Sequence, residues 1–221
     1  MDNELLGLDK PFQFECNRCS KCCDSSQQVF LSPYDIFRIA KHFDKTPTHI
    51  IDEYCNYHFR EDLNFPFVHP RPRGIKNTCS FLVDKQCTIH HFKPSVCALF
   101  PIRRIPLNKD ILEYGEEVQF RSGYILVPIK CRSTGETTAT VRQLLEKFDI
   151  PIDDISYHMW YTLIKHVPPV LNRLEETTTL PAELLALKNS LVNLLYFEYD
   201  IRKEFLPQFL ANNQKIERLI F

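Results

Sequence analysis

The sequence predicts an α+β protein: a cysteine-cluster metal-binding domain of short helices, a hairpin and a small antiparallel meander, followed by a mostly helical C-terminal half. Three observations carry that prediction. Four of the nine cysteines fall within the eight residues from Cys16 to Cys23. Short β-prone runs bounded by glycine and charge occupy 105–131, and apolar residues recur at helical spacing beyond about 138. The change of character sets the expected division, with a cysteine-cluster domain over 1–135 and a helical region packed on it over 136–221.

The run Cys16-x-x-Cys19-x-x-Cys22-Cys23 is the densest chemistry in the chain. Cysteine ligates as thiolate, and thiolates held this close repel one another unless a cation or cluster neutralises them. Two-residue gaps let successive sulfurs reach one centre, as in zinc knuckles and iron–sulfur loops. In extended chain the neighbours Cys22 and Cys23 point to opposite faces, so they are expected to serve two centres or two corners of one larger cluster. The competing reading is a disulfide knot. Against it, MDNELLGLDKPFQFE holds no basic segment ahead of an apolar run, nine is an odd number, and 221 residues can bury a core without staples. A reducing, cytoplasmic setting is expected.

Composition excludes several function classes. The chain is 44% hydrophobic without an uninterrupted apolar run of membrane length, which predicts a soluble globule with no membrane partner. A net charge of −1 leaves no electrostatic footprint for nucleic acid, and Arg71, Arg73, Arg103 and Arg104 read as solvated surface. The five glycines are scattered and assemble no phosphate cradle or dinucleotide fingerprint.

In chain order, LSPYDIFRIAKHF begins a helix: Ser32 caps, Pro33 takes the first helical position, and Asp35 lies where the dipole favours an anion. The pattern repeats in TPTHIIDEYCNYHF, with Thr46 as cap. There Ile51, Cys55 and Phe59 recur every four residues, marking Cys55 as a buried packing position. Its alternative is to share a helix face with His58 and hold an ion. Residues 60–78, with Pro66, Pro70, Pro72 and Gly74, read as a loop. In CSFLVDKQCTIHHFKPSVCALFP, Phe81 to Val83 and Thr88–Ile89 favour strands about a turn at 84–86, so Cys79 and Cys87 should flank a hairpin. Lys93-Pro94-Ser95 suits a short helical turn carrying Cys97, which Pro101 stops. His90 and His91 stand where zinc ligands sit, although packed or surface histidines are commoner. ILEY, VQF and GYILVPI predict a meander that ends at Cys131. Helices are then expected over 138–148, about 153–166, 181–197 and 205–220.

Together, the cysteine run, the L-S-P-Y-D-I-F-R-I-A helix, Cys79-S-F-L, Cys87-T-I-H, K-P-S-V-Cys97-A-L-F-P and Cys131 resemble the CxxCxxCC family of zinc- or iron-chelating cysteine-cluster proteins, also called the YkgJ type. The resemblance covers roughly 14–131. It implies metal-ligand roles for Cys16, Cys19, Cys22, Cys23, Cys79, Cys87, Cys97 and Cys131, and it leaves Cys55 out. The family usually has an aromatic at His90 and arginine at Lys93 and Ala98. An iron–sulfur cluster or zinc is the implied cofactor, since both accept tetrahedral thiolate donors. Three activities follow as readings: a metalloprotein whose centre is both cofactor and pin, an enzyme resembling the flagellin lysine methylase of that family, or a zinc-built interaction module. The last binds another protein through the helical C-terminal region. No carboxylate–histidine constellation suits a hydrolytic zinc, and the run lacks the Cys-x-x-x-Cys-x-x-Cys spacing that a radical route would use.

Overall fold

Helix α1 (Pro33–Phe43) starts as its local chemistry dictates: the Ser32 hydroxyl accepts from the Asp35 amide while the Asp35 carboxylate accepts from the Ser32 amide, a capping box. A computed structural model describes residues 5–16, 18–23, 29–107, 121–127, 138–177 and 179–220. Within them lie seven α-helices and five two-stranded antiparallel ribbons.

Helix α2 (Pro47–Tyr54) is capped by Thr46, whose hydroxyl accepts from the His49 amide at 3.2 Å. It ends earlier than its apolar spacing predicts. Cys55 opens strand β2 (Cys55–Arg60), which pairs in register with β3 (Phe65–Pro70), Cys55 facing Pro70 and Arg60 facing Phe65. The helix stops because its last carbonyls find another donor. The Arg71 guanidinium takes the carbonyls of Asp52, Glu53 and Cys55 at 2.6, 3.3 and 3.0 Å. Every residue of β3 is buried, so a segment expected as loop supplies core instead. Its prolines are tolerated because Pro66 and Pro70 alternate in register with Val68, whose carbonyl turns away from β2 to accept from the Leu31 amide, so the missing amide hydrogens are not owed to the β2 ladder.

Strand β4 (Pro72–Arg73) pairs with β5 (Thr78–Cys79). The expected hairpin is present but shorter: β6 (Leu82–Val83) and β7 (Gln86–Cys87) are joined by Asp84 and Lys85, both left-handed at φ 48° and 60°, the twist that suits a tight hairpin turn. Cys79 therefore sits outside that hairpin, opposite Pro72. Helix α3 (Ser95–Leu99) carries Cys97 as predicted. Of the meander, β8 (Ile102–Pro106) pairs with β9 (Ser122–Leu126), and ILEY and VQF lie outside the described residues. Farther along, β10 (Thr138–Ala139) pairs with the early strand β1 (Phe12–Gln13), and Thr140 caps α4 (Val141–Lys147).

The later helices appear at their expected places with altered ends. Helix α5 (Ile155–Thr177) continues through Pro168 and Pro169, well beyond 166, with Val167 and Leu171 fully buried on either side. Helix α6 (Pro181–Val192) gives way to a π-helical turn (Asn193–Phe197) that turns Leu194, Leu195 and Tyr196 inward. Helix α7 (Phe205–Ile220) closes the described chain. No helix among the described residues is long and apolar enough to cross a membrane.

Two hydrophobic clusters result. The larger joins α1, α2 and β3 to α5, the π turn and α7 through Ile36, Ile50, Val68, Leu171, Tyr196 and Phe209, with Cys79 and Cys87 packed at its edge. The smaller gathers Phe12, Leu99, Ile102, Tyr124, Val141 and Leu145. The cysteine segments thus lie where the clusters meet, since α3 contributes Ala98 and Leu99 to the second.

A buried polar network ties β8 and β9 to the start of α5. Arg104 pairs with Asp154 at 3.3 Å, donates to Ser122 Oγ and to the carbonyl of Ile152, and lies over the Tyr157 ring. Ser122 Oγ stands 3.1 Å from His158 Nε2. Burial, then Arg104, holds the His158 pKa below its usual 6.5. His69 is likewise lowered by burial and by His58. The unfolded chain takes these protons near pH 6.5, whereas the folded chain takes them only at lower pH. The two histidines' contribution to stability is therefore complete above 6.5 and lost as pH falls below it. Denaturant melts at pH 7.5 and 5.5 should show lower stability at 5.5, and H158N should narrow that gap; an H158N gap as wide as the parent's would refute the assignment.

Candidate metal centre

The cysteine run is not extended. Arg18 and Ser20, on either side of Cys19, adopt left-handed backbone at φ 54° and 57°, Ser20 Oγ donates to the Cys19 carbonyl, and the Cys23 amide donates to the Ser20 carbonyl. The chain then closes into a 3-10 turn (Lys21–Cys23). This corrects the expectation that Cys22 and Cys23 face opposite ways. Successive side chains on a three-residue turn stand about 120° apart rather than 180°, and these two thiols hydrogen-bond to each other.

Cys22 and Cys79 both lie at the centre of the arrangement. The charge of Cys22 acts on Cys23, Cys79, Cys87 and Cys97, thiols drawn from the 3-10 turn, β5, β7 and α3, and that of Cys79 acts on Cys23 and Cys97. Cys16, exposed beyond β1, lies close enough to raise Cys87. Cys19 is exposed within the run. Cys131 lies outside the described residues. The structure thus brings the N-terminal run to the hairpin cysteines across more than fifty residues of intervening chain.

The electrostatics favour neutral thiols over thiolates. The hydrogen bond with Cys22, followed by burial, raises Cys23; burial raises Cys79, Cys87 and Cys97, with neighbouring cysteines adding to each. Two features oppose this and favour thiolate. The backbone amides of Phe81 and Ile89 donate to the sulfurs of Cys79 and Cys87, two residues ahead in each case, and the Lys93 ammonium lowers Cys87 and Cys97. Amide donors that steady a sulfur are what a metal thiolate uses around its ligand shell. Among the described residues no three His, Cys, Asp or Glu side chains stand as a ready-made ligand group. The donor set suits a soft ion by its chemistry.

Sequence reasoning missed the residues that position this set. Asp35 Oδ1 accepts from both the amide and the hydroxyl of Ser95, at 2.8 and 2.9 Å, and so docks α3 and Cys97 against α1. Ser80 Oγ donates to the Tyr54 carbonyl and Thr88 Oγ1 to the Phe81 carbonyl, fixing the turns after Cys79 and Cys87. A signal for that pair was available: Cys79-Ser-Phe and Cys87-Thr-Ile share the order cysteine, small hydroxyl, apolar. His90 packs edge-on to Phe148, and burial, with Lys93 and Arg18, pushes its pKa down to about 4.

Cys55 is 1% exposed at the start of β2, and burial pushes its thiol up, with Cys79 adding. It is a packing residue on a strand rather than on the helix that its spacing suggested. C55A should leave metal content unchanged. C55S should melt below C55A, since a buried hydroxyl without a partner carries a penalty of about 1–3 kcal/mol. Metal analysis and thermal melts of the two variants check both statements, and metal loss on C55A would make Cys55 a ligand.

Residues 15–119 match the model of the CxxCxxCC family, described as a putative zinc- or iron-chelating domain. The match takes in every described cysteine and leaves α4 to α7 outside. No curated protein and no solved structure matches the chain.

Proposed function

We propose that this zinc- or iron-chelating segment holds its metal as a polythiolate centre, an iron–sulfur cluster or zinc, on Cys16, Cys19, Cys22, Cys23, Cys79, Cys87, Cys97 and Cys131. The observation that carries the reading is the reach of Cys22 to four other thiols from separate elements. Thiolates suit both candidates, because each accepts tetrahedral sulfur. Zinc would act as a structural pin, and an iron–sulfur cluster would add one-electron chemistry. In either case this chain's own part is the same: the amides of Phe81 and Ile89 and the ammonium of Lys93 offset thiolate charge, while Asp35 holds the Cys97 helix in place.

Purification without oxygen, followed by metal analysis and a visible spectrum, tests the reading. Stoichiometric iron and sulfide with a broad charge-transfer band identify a cluster, and a colourless protein with stoichiometric zinc identifies a structural ion. A protein that carries neither metal and takes up neither on anaerobic reconstitution would overturn it.

A further inference from the structure

Two histidines lie side by side on the β2–β3 ribbon. The register sets Asn56 opposite His69 and His58 opposite Phe67. Because side chains alternate along a strand, Asn56, His58, Phe67 and His69 share one face, with His58 and His69 as diagonal neighbours. Their rings meet edge to face with centroids 5.0 Å apart. His58 is exposed, whereas His69 is 7% exposed and its buried Nδ1 has no hydrogen-bond partner.

The geometry points to a two-histidine site for a borderline divalent transition-metal ion, held between the imidazoles of His58 and His69. An ion bound at about 2.0–2.1 Å from a ring nitrogen stands about 3.2 Å from the ring centre, so two imidazoles at a tetrahedral angle place their centres about 5 Å apart. The observed separation is of that size, and the exposed His58 ring can turn to bring its nitrogen to the shared ion. An ion between them gives the orphaned nitrogen of His69 a partner, and the exposed His58 gives the ion a way in. Asn56 supplies no third donor, since its Oδ1 already accepts from Arg71 Nε at 3.0 Å. Among the described residues no further His, Cys, Asp or Glu completes a group of three. The remaining positions therefore belong to water or to an incoming ligand, which makes the site exchangeable. Imidazole donors suit zinc, nickel and copper, and this set is chemically distinct from the thiolates.

Nickel chloride added to the full-length, metal-loaded protein tests the proposal, read by paramagnetic broadening of the histidine ring resonances. The signals of His58 and His69 should broaden first at neutral pH, ahead of the other six histidines. H58Q, a change at an exposed position, should weaken nickel binding by about 10- to 100-fold or more and remove the effect on His69 without altering the fold, as checked by circular dichroism. Broadening confined to His90 and His91 would place the nickel by the thiols and overturn the proposal. So would rings of His58 and His69 that stay sharp, or an H58Q variant that binds nickel like the parent.

Discussion

C22A is expected to lose bound metal. Cys22 is the one thiol that acts on Cys23, Cys79, Cys87 and Cys97 together. Its removal breaks the hydrogen bond with Cys23 and leaves the remaining thiols, three of them raised chiefly by burial, short of the shared counter-ion. Changing groups merely around a metal costs about 10- to 100-fold in affinity, so losing a proposed ligand should cost at least about 100-fold. Because metal binding is folding free energy for segments with little core of their own, unfolding should follow. The loss should be local. The 3-10 turn, β5 to β7 and α3 are short and add only Phe81, Ile89, Ala98 and Leu99 to the fully buried core, whereas α1, α2 and β3 share many buried residues with α5 and α7. Hydrogen exchange of C22A, or of the parent after chelation, should therefore show early exchange in 78–99 and slow exchange in α1 and α5. Uniform exchange across both regions, or C22A with full metal occupancy, would refute this.

What could be read in advance was local, and what could not was paired at a distance. Ser32, Thr46 and Thr140 cap helices by bonds within three residues, and the two N-terminal caps were legible in S-P-x-D and T-P-x-H. The switch from helix to strand at Cys55 was not, because it depends on β3 arriving opposite and on Arg71 drawing off the carbonyls of α2. Apolar residues at four-residue spacing fit α2 and β2 equally well over so short a run. The cysteine run misled for a different reason. Its curl depends on left-handed Arg18 and Ser20, and neither residue advertises that conformation as glycine does. Prolines misled at 60–78, marking a loop where β3 is buried. The candidate ligands came from the spacing of the N-terminal run and from the family resemblance, and neither pointed to the groups that orient them. Ser95 is sixty residues from Asp35, and nothing local announces the pairing.

D35A is expected to destabilise the protein by about 3 kcal/mol, which for a chain of this size lowers the melting temperature by roughly 6–12 °C. Asp35 is 3% exposed, and its carboxylate serves two helices at once. One oxygen accepts from the amide and hydroxyl of Ser32, both at 2.9 Å, and closes the capping box of α1. The other accepts from the amide and hydroxyl of Ser95 and starts α3. Alanine leaves two part-buried amides without an acceptor, and the loss of an unpartnered donor exceeds the value of an average hydrogen bond. Helix α3 has five residues, too few to persist without its anchor. Cys97 then loses its position, so metal affinity should fall by about tenfold or more even though Asp35 is not a ligand. D35N separates the two roles. Its single carbonyl oxygen can serve one helix, while its amide group meets the donors of the other, which predicts a melting temperature between those of the parent and D35A. Chelator competition alongside the melts reads the metal arm independently. If D35A melts with the parent, the carboxylate is not the pin between α1 and α3; if it melts early but holds metal as tightly, Cys97 keeps its place by other contacts.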